Sequence, residues 1–294
     1  MTKKHQRVVY HCRLNVAMAK QIPMSVKKKD KSSRGKNRYL INSIAKALNI
    51  LDLFDFGKEQ LSASHIATEL NLNRSSIYPI LCTLREFGYL QKNKLSKKYR
   101  LGLKFIEKGE VVIGHLEVAK IAESYLYELA HSLGESVYLA VLEKMDVIHI
   151  VCKHPIPQTF PHLMVNSPIG TRAPAHCTAL GKVLLASLAQ KKLDELLGQT
   201  ELNLLTENTI TDKKMLKEHL ARVYKQGFAI DNEEFVAGGV CVAAPVINHT
   251  GEVIAAISVF APAARVSPER LKELTKKIKC TADRISHDLG VADN

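Results

Sequence analysis

Residues 62–101, SASHIATELNLNRSSIYPILCTLREFGYLQKNKLSKKYRL, decide the fold. Ser62 is a good helix N-cap, and Ile66, Ala67 and Leu70 follow on one helical face. Asn71 stands just past that short helix, and Asn is among the few non-Gly residues at ease in a left-handed backbone. Asn73 can cap the next helix, which carries Ile77, Ile80, Leu81 and Leu84 and stops at Gly88. The segment YLQKNKLSKKYRLGL then reads as two strands around a Lys/Ser/Asn turn. Upstream, Ile44, Leu48 and Leu51 recur at helical spacing and predict a first helix that begins near Ile41 and ends before Gly57.

Helix, helix, tight turn, helix, hairpin is the winged helix-turn-helix plan, in which the third helix enters the major groove. A three-helix bundle that binds protein has the same order. The polar residues favour DNA: Asn73, Arg74, Ser75, Ser76 and Tyr78 cluster at the start of the third helix, where side chains reach base edges. Lys94, Lys97 and Lys98 crowd the hairpin tip, where a wing meets phosphates. Pro79 removes one backbone donor early in that helix and predicts a bent start, not a missing helix.

Charge separates the chain into unequal parts. The net formal charge of +13 is concentrated in residues 1–38, which hold twelve Lys/Arg against the single acid Asp30. Residues 39–100 contribute +4 and residues 101–294 contribute −2. A basic end on a neutral body suits contact with a polyanion, although solvated lysines give the same count. Residues 1–38 read as a basic, disordered arm. Met24 opens a second plausible start, so residues 1–23 read either as arm or as upstream extension; an organellar transit peptide is the weaker alternative. The six Cys show no metal-clip or redox spacing, which suits reduced thiols in the cytoplasm. No run reads as a membrane span.

The rest of the chain mixes helices and strands. Leu103–Gly114 reads as a linker helix in a helical stretch broken near Gly109 and Gly114, and residues 115–290 as an α+β domain. SVYLAVLE and DVIHIVCKH predict a hairpin turning at Lys144-Met145. A loop with Pro155, Pro157 and Pro161 leads to a strand at Leu163–Asn166. Helices are expected at Ala175–Ser187, Gln190–Leu197, Asp212–Gln226 and Pro268–Leu289. Strands are expected at Phe228–Asp231, Val240–Val246 and Val253–Phe260, with a hairpin at His249-Thr250-Gly251 that implies an antiparallel sheet.

On these residues the chain resembles the IclR family of bacterial regulators. SIAKALNILDLF, SASHIATELNLNRSSIY and LREFGYLQKN…KKYRLG look like its helix-turn-helix and wing. GTRAPAHCTALGKVLLA, LTENTIT, GFAIDNEEFVAGGVCVAAPVIN and GEVIAAISVFAP follow in the family's order and spacing. The resemblance implies a GAF-like effector domain at 115–290 behind a winged module at 39–102. It also implies dimers that pair into tetramers, a double-stranded operator, and control by a small organic acid. Carried over one position at a time, Ala179 and Leu180 face the ligand from a helix start, and Asp231, Cys241 and Ser258 line it from strands. Phe260 stands where some members carry a polar residue, which implies a pocket more tolerant of apolar or aromatic ligands. Pro79 departs from the Arg of many members, although Tyr78-Pro79 also resembles the recognition helix of PadR regulators. From the residues alone, Cys241 suits plain core filling and Asp231 suits a turn.

No catalytic or cofactor pattern emerges. Gly181-Lys182 fails the Walker spacing, and Val183 occupies its Ser/Thr position. His176 and Cys177 are helix neighbours about 100° apart. Glu233 and Glu234 face opposite sides of an extended segment, shaping a loop or meeting a partner subunit. The His residues lack ligand spacing, so neither metal nor cofactor is expected. The rival reading is a small-acid-binding sensory protein or enzyme whose N-terminal helices bind protein instead of DNA.

Overall fold

The computed structural model describes residues 39–155 and 167–291, in two compact units that divide between Val111 and Val112. The basic arm of residues 1–38 and the strand expected at 163–166 lie outside the described residues.

The first unit holds α1 (Asn42–Leu51), α2 (Ala63–Glu69), α3 (Arg74–Glu86) and a hairpin of β1 (Leu90–Lys92) with β2 (Tyr99–Leu101). Ser62 caps α2 by accepting the His65 N–H at 3.2 Å. Asn71 turns the chain at φ 52, the left-handed region that its side chain tolerates. Ile50, Ile66, Ile77, Leu81, Leu90 and Tyr99 are buried together as the core of this unit. Tyr99 also exchanges backbone bonds with Leu61, which adds a third short edge to the hairpin. α3 runs unbroken through Pro79. Asn73 occupies its N-cap position without a side-chain cap bond, so the expected capping contact is absent. Ile44 and Leu48 of α1 are exposed, as are Tyr39, Leu40 and Ile41 before and at its start, and Ile50 is the core contact instead.

α4 (Lys104–Gly114) continues through Gly109, where a break was expected, and none of its residues is buried. One Gly in an exposed helix costs only about 1 kcal/mol, too little to end it. In the second unit α5 (Glu117–Leu133) precedes β3 (Ser136–Glu143), β4 (Asp146–Lys153) and the short β5 (Arg172–Pro174). α6 (Ala179–Ala186), α7 (Gln190–Gly198), α8 (Lys213–Gln226), β6 (Ala229–Asn232), β7 (Gly239–Ile247), β8 (Val253–Pro262) and α9 (Pro268–Asp288) follow. The strands form one antiparallel sheet in the order β5-β4-β3-β8-β7-β6. Both expected hairpins form, with Lys144 at φ 60 and Gly251 at φ 82 in their turns.

Alternation along the strands sends residues to two cores. On one face α5 and α9 pack Leu126, Leu274, Ile278 and Ile285 against Val137, Val242 and Val259. On the other, α6, α7 and α8 pack Leu180, Leu184, Leu193 and Leu216 against Tyr138, Ala243 and Ala256. α6 starts four residues later than the sequence suggested. The reason is Thr178, whose Oγ1 accepts the Gly181 N–H at 3.2 Å and donates to the Pro174 carbonyl at 3.0 Å, so it caps the helix rather than lying within it. A Cβ on Gly181 would stand 2.2 Å from the Ala175 backbone, so only glycine lets the first turn of α6 seat on that segment.

Candidate functional site

The recognition face is built by the one-sided burial of α3. Ile77 and Leu81 are fully buried beneath α1 and α2, which turns Asn73, Arg74, Ser75, Ser76 and Tyr78 outward, Tyr78 with 55% of its surface exposed. At the hairpin tip Asn93 Oδ1 accepts the Leu95 and Ser96 N–H groups at 2.8 and 3.0 Å, and Lys97 takes a left-handed φ of 57. Lys94, Lys97 and Lys98 are thereby held exposed on a fixed turn. Behind them Lys92 lies over the Tyr99 ring at 5.2 Å and Arg100 bonds Gln91, so those two cations are engaged within the hairpin.

On the α6 side of the sheet the register brings four expected ligand residues together. Asp231 pairs with Cys241, Cys241 with Phe260, and Ser258 lies opposite both Ala243 and Tyr138. α6 crosses β7 and β8 above them, with Ala179 and Leu180 buried at its start. Phe260 packs over Gly239, where a Cβ would stand 2.6 Å from the ring, so its phenyl group occupies the space beside Cys241.

Asp231 is buried, and its Oδ1 accepts the N–H groups of Glu234 at 2.7 Å and Phe235 at 3.3 Å. Burial pushes its carboxyl up to about 7, against the pull of those donors and of Lys182. It therefore organises the loop that follows β6 as well as facing the sheet row. Glu233 holds the same loop by accepting the Gly238 N–H at 2.6 Å. Thr206 and Thr209 clamp it from outside, donating to the carbonyls of Glu233 and Glu234.

Lys182 and Glu234 were missed as partners. Lys182, on α6, has no exposed surface; its Nζ donates to the Ile230 carbonyl at 2.5 Å and forms an ion pair with Glu234 Oε1. Glu234 Oε2 is buried without a hydrogen-bond partner among the described residues. A lysine inside the hydrophobic run ALGKVLLA was the available signal, since a Lys on a helix buried all round must be paired. The sequence reading also passed over Ser136, Tyr138, Cys152 and His154, which the β3–β4 register gathers on this same face. His176 bonds the Asn203 carbonyl at 3.1 Å, and Cys177 is buried against Pro174, so neither serves the other. Among the described residues no group of three or more His, Cys, Asp or Glu is placed to hold a metal ion, and no helix is long and apolar enough to cross a membrane.

A helix-turn-helix with its hairpin, carried in one chain with a helix-covered antiparallel sheet whose inner face bears a buried polar row, defines a DNA-binding transcription regulator with an effector domain. The chain belongs to the IclR family: residues 43–94 match the IclR helix-turn-helix domain and residues 110–287 the bacterial transcriptional regulator IclR C-terminal domain. The HTH-type transcriptional regulator XynR of Escherichia coli strain K12 is 34% identical over 251 residues, covering 85% of this chain and 98% of its own. The crystal structure of Thermotoga maritima IclR matches at 32% identity and a TM-score of 0.68, over 85% of this chain and 99% of that one. An IclR homologue from Microbacterium hydrocarbonoxydans, complexed with 4-hydroxybenzoate, shares the fold at 23% identity and a TM-score of 0.73, over 84% and 98% of the two chains.

Proposed function

We propose that the protein works in the cytoplasm as an operator-binding dimer, or a tetramer of such dimers, whose grip on DNA is set by a small organic carboxylic acid. The single observation that carries the DNA half is the polarity of α3, apolar and buried on one side, with Arg74, Ser75, Ser76 and Tyr78 free on the other. Asn73 and Lys94, Lys97 and Lys98 flank them, placed for phosphates. The exposed apolar stripe of Tyr39, Ile41, Ile44 and Leu48 is the surface for a second copy, since a monomer gains nothing by leaving it in water. Two recognition helices then lie in successive major grooves of a near-palindromic site, with the basic residues 1–38 adding phosphate contacts.

For the ligand, Asp231, Cys241, Ser258 and Phe260 share the sheet face on which Ala179 and Leu180 of α6 are packed, and the first N–H groups of α6 favour an anion. Thr178 already occupies the Gly181 donor, which leaves Ala179 and Leu180 to offer theirs. The same fold in the Microbacterium homologue is complexed with an aromatic acid, and Phe260 suits an aromatic or apolar body here. The ligand shifts operator affinity by preferring one arrangement of the protein over another.

The test is a gel shift with DNA upstream of the protein's own gene, titrated with a panel of carboxylic acids, and sedimentation of the wild type beside Ile44→Lys/Leu48→Lys. The expected results are a retarded band that one acid class moves, and a lighter species for the double variant. A protein that ignores every duplex yet binds an acid would overturn the DNA half and favour a protein-binding sensory module.

A further inference from the structure

Four proton-carrying side chains gather on the α6 side of the sheet, next to the Asp231–Cys241–Phe260 row. Alternation puts Ser136 and Tyr138 two apart on β3 and Cys152 and His154 two apart at the end of β4, and the register sets Tyr138 opposite Cys152. His154 Nδ1 lies 2.8 Å from Ser136 Oγ, and its Nε2 lies 3.2 Å from Cys152 Sγ. The Tyr138 ring meets the His154 ring edge-on at 6.3 Å. Cys152 and His154 are half-buried. With Ser136 accepting from Nδ1–H, the Nε2 lone pair is left facing the thiol, which is a nucleophile beside a base held by a third group.

We propose that Cys152 is a covalent capture site for small α,β-unsaturated carbonyl compounds, with His154 as its base. The sulfur bonds to the β carbon, and the π pair of the C=C bond moves toward the α carbon and carbonyl oxygen. The S–H proton passes to His154 Nε2, and the imidazolium returns it to the α carbon. One thiol and one acceptor give one thioether, with no other reactant consumed. Cys177 and Cys241 lack this company: the first contacts the Pro174 carbonyl, and the second sits in register with Asp231.

The surroundings give the site a kinetic signature. Burial pushes the Cys152 thiol up to about 11, with Lys153 opposing, and lowers the His154 imidazole. Tyr138 from β3, Cys241 from β7 and the His149 ring against Tyr138 are the other titratable groups nearby. At neutral pH the pair rests as thiol and neutral imidazole. A thiol reacting only as free thiolate would speed up about tenfold per pH unit, whereas a base-assisted one is flat once the imidazole is neutral.

The experiment treats the full chain with methyl vinyl ketone between about pH 6.5 and 9 and follows each cysteine by peptide mass spectrometry. The expected Cys152 rate is flat with pH. In His154→Gln it falls at neutral pH by about tenfold or more and regains the steep slope. Should His154→Gln fail to fold, Ser136→Ala keeps thiol and ring and is expected to slow labelling several-fold. An unlabelled Cys152, a steep wild-type slope, or variants that label at the wild-type rate would each overturn the proposal.

Discussion

Replacing Lys182 by Met tests whether the α6–loop contact is an ion pair whose two members depend on each other. The substitution keeps the length of the aliphatic stem and removes the ammonium, so it opens little cavity. Lys182 has no exposed surface and the Glu234 side chain only 8%, so water cannot replace the lost cation at the Glu234 carboxylate. Breaking one member of such a pair costs about 3–5 kcal/mol, and the Ile230 carbonyl loses its donor for about 1 kcal/mol more. With a urea m-value of about 1–3 kcal/mol/M, the midpoint for the effector unit falls by about 1 M or more. The loss depends on pH. Burial already raises the Glu234 carboxyl and Lys182 opposes it, so in the variant the carboxyl rises further and is held protonated. A carboxyl raised in the folded state has its full stability at low pH and loses it as pH climbs, so the variant's deficit is small near pH 5 and large near pH 8. Lys182→Met/Glu234→Gln, which leaves neither member of the pair charged, recovers about 2 kcal/mol of the loss at the higher pH. Urea titrations followed by circular dichroism and tyrosine fluorescence read all three proteins. A single variant costing under about 1 kcal/mol at pH 8, or a double variant equal to the sum of its parts, would refute the reasoning.

Three further outcomes follow from the same geometry. Arg74→Ala lowers affinity for the operator by about 1–3 kcal/mol and leaves affinity for random duplex nearly unchanged, read by fluorescence anisotropy against both; equal losses would make Arg74 a phosphate contact only. Deleting residues 1–38, which carry twelve bases and one acid, flattens the dependence of log K on log salt, because fewer counterions are released; an unchanged slope would remove the arm from the interface. Asp231, raised to about 7 from an ordinary 3.8, contributes its full stability at low pH and loses it as pH rises through about 7. Asp231→Asn therefore shows a shallower decline in urea midpoint between about pH 4 and 7, and a decline as steep as that of the wild type would show that another group titrates there.

Local chemistry decided the DNA-binding unit, which is why it was legible. Ser62, Asn71 and Gly88 mark ends that a single residue can fix, and the period of Ile77, Leu81 and Leu84 chooses the buried side of α3. Where two local cues competed the reading slipped by a turn: Ala175 to Thr178 have helical company on their C-terminal side, yet Thr178 is a capping residue and ends the loop there. The apolar period of α1 predicted the helix correctly, yet Ile44 and Leu48, which set that spacing, are exposed and lie outside the core of their own unit. Periodicity reports that a face is apolar and does not say what covers it.

The candidate ligand face was legible only where the family resemblance named positions, because register is a long-range quantity. Strand alternation predicts that Ser136 and Tyr138 share a side, and that Cys152 and His154 share one. It takes the pairing of Val137 with Lys153 and of Tyr138 with Ser258 to put all of them on one surface beneath α6. Lys182 illustrates the same point through energetics. Nothing within ALGKVLLA states where its counter-charge lies, and Glu234 is 52 residues away, but the cost of an unpaired buried ammonium guarantees that a partner exists. That guarantee also gives the pair its structural consequence. The ammonium ties α6, whose first turn faces the candidate ligand residues, to the loop that Asp231 and Glu233 fold around themselves. An anion bound at the start of α6, as proposed, would add negative charge near the buried Asp231 and Glu234 carboxylates, which Lys182 alone balances among the described residues. The energy of that encounter depends on whether Asp231 holds its proton, so ligand affinity and the protonation of Asp231 must be linked, each raising the other.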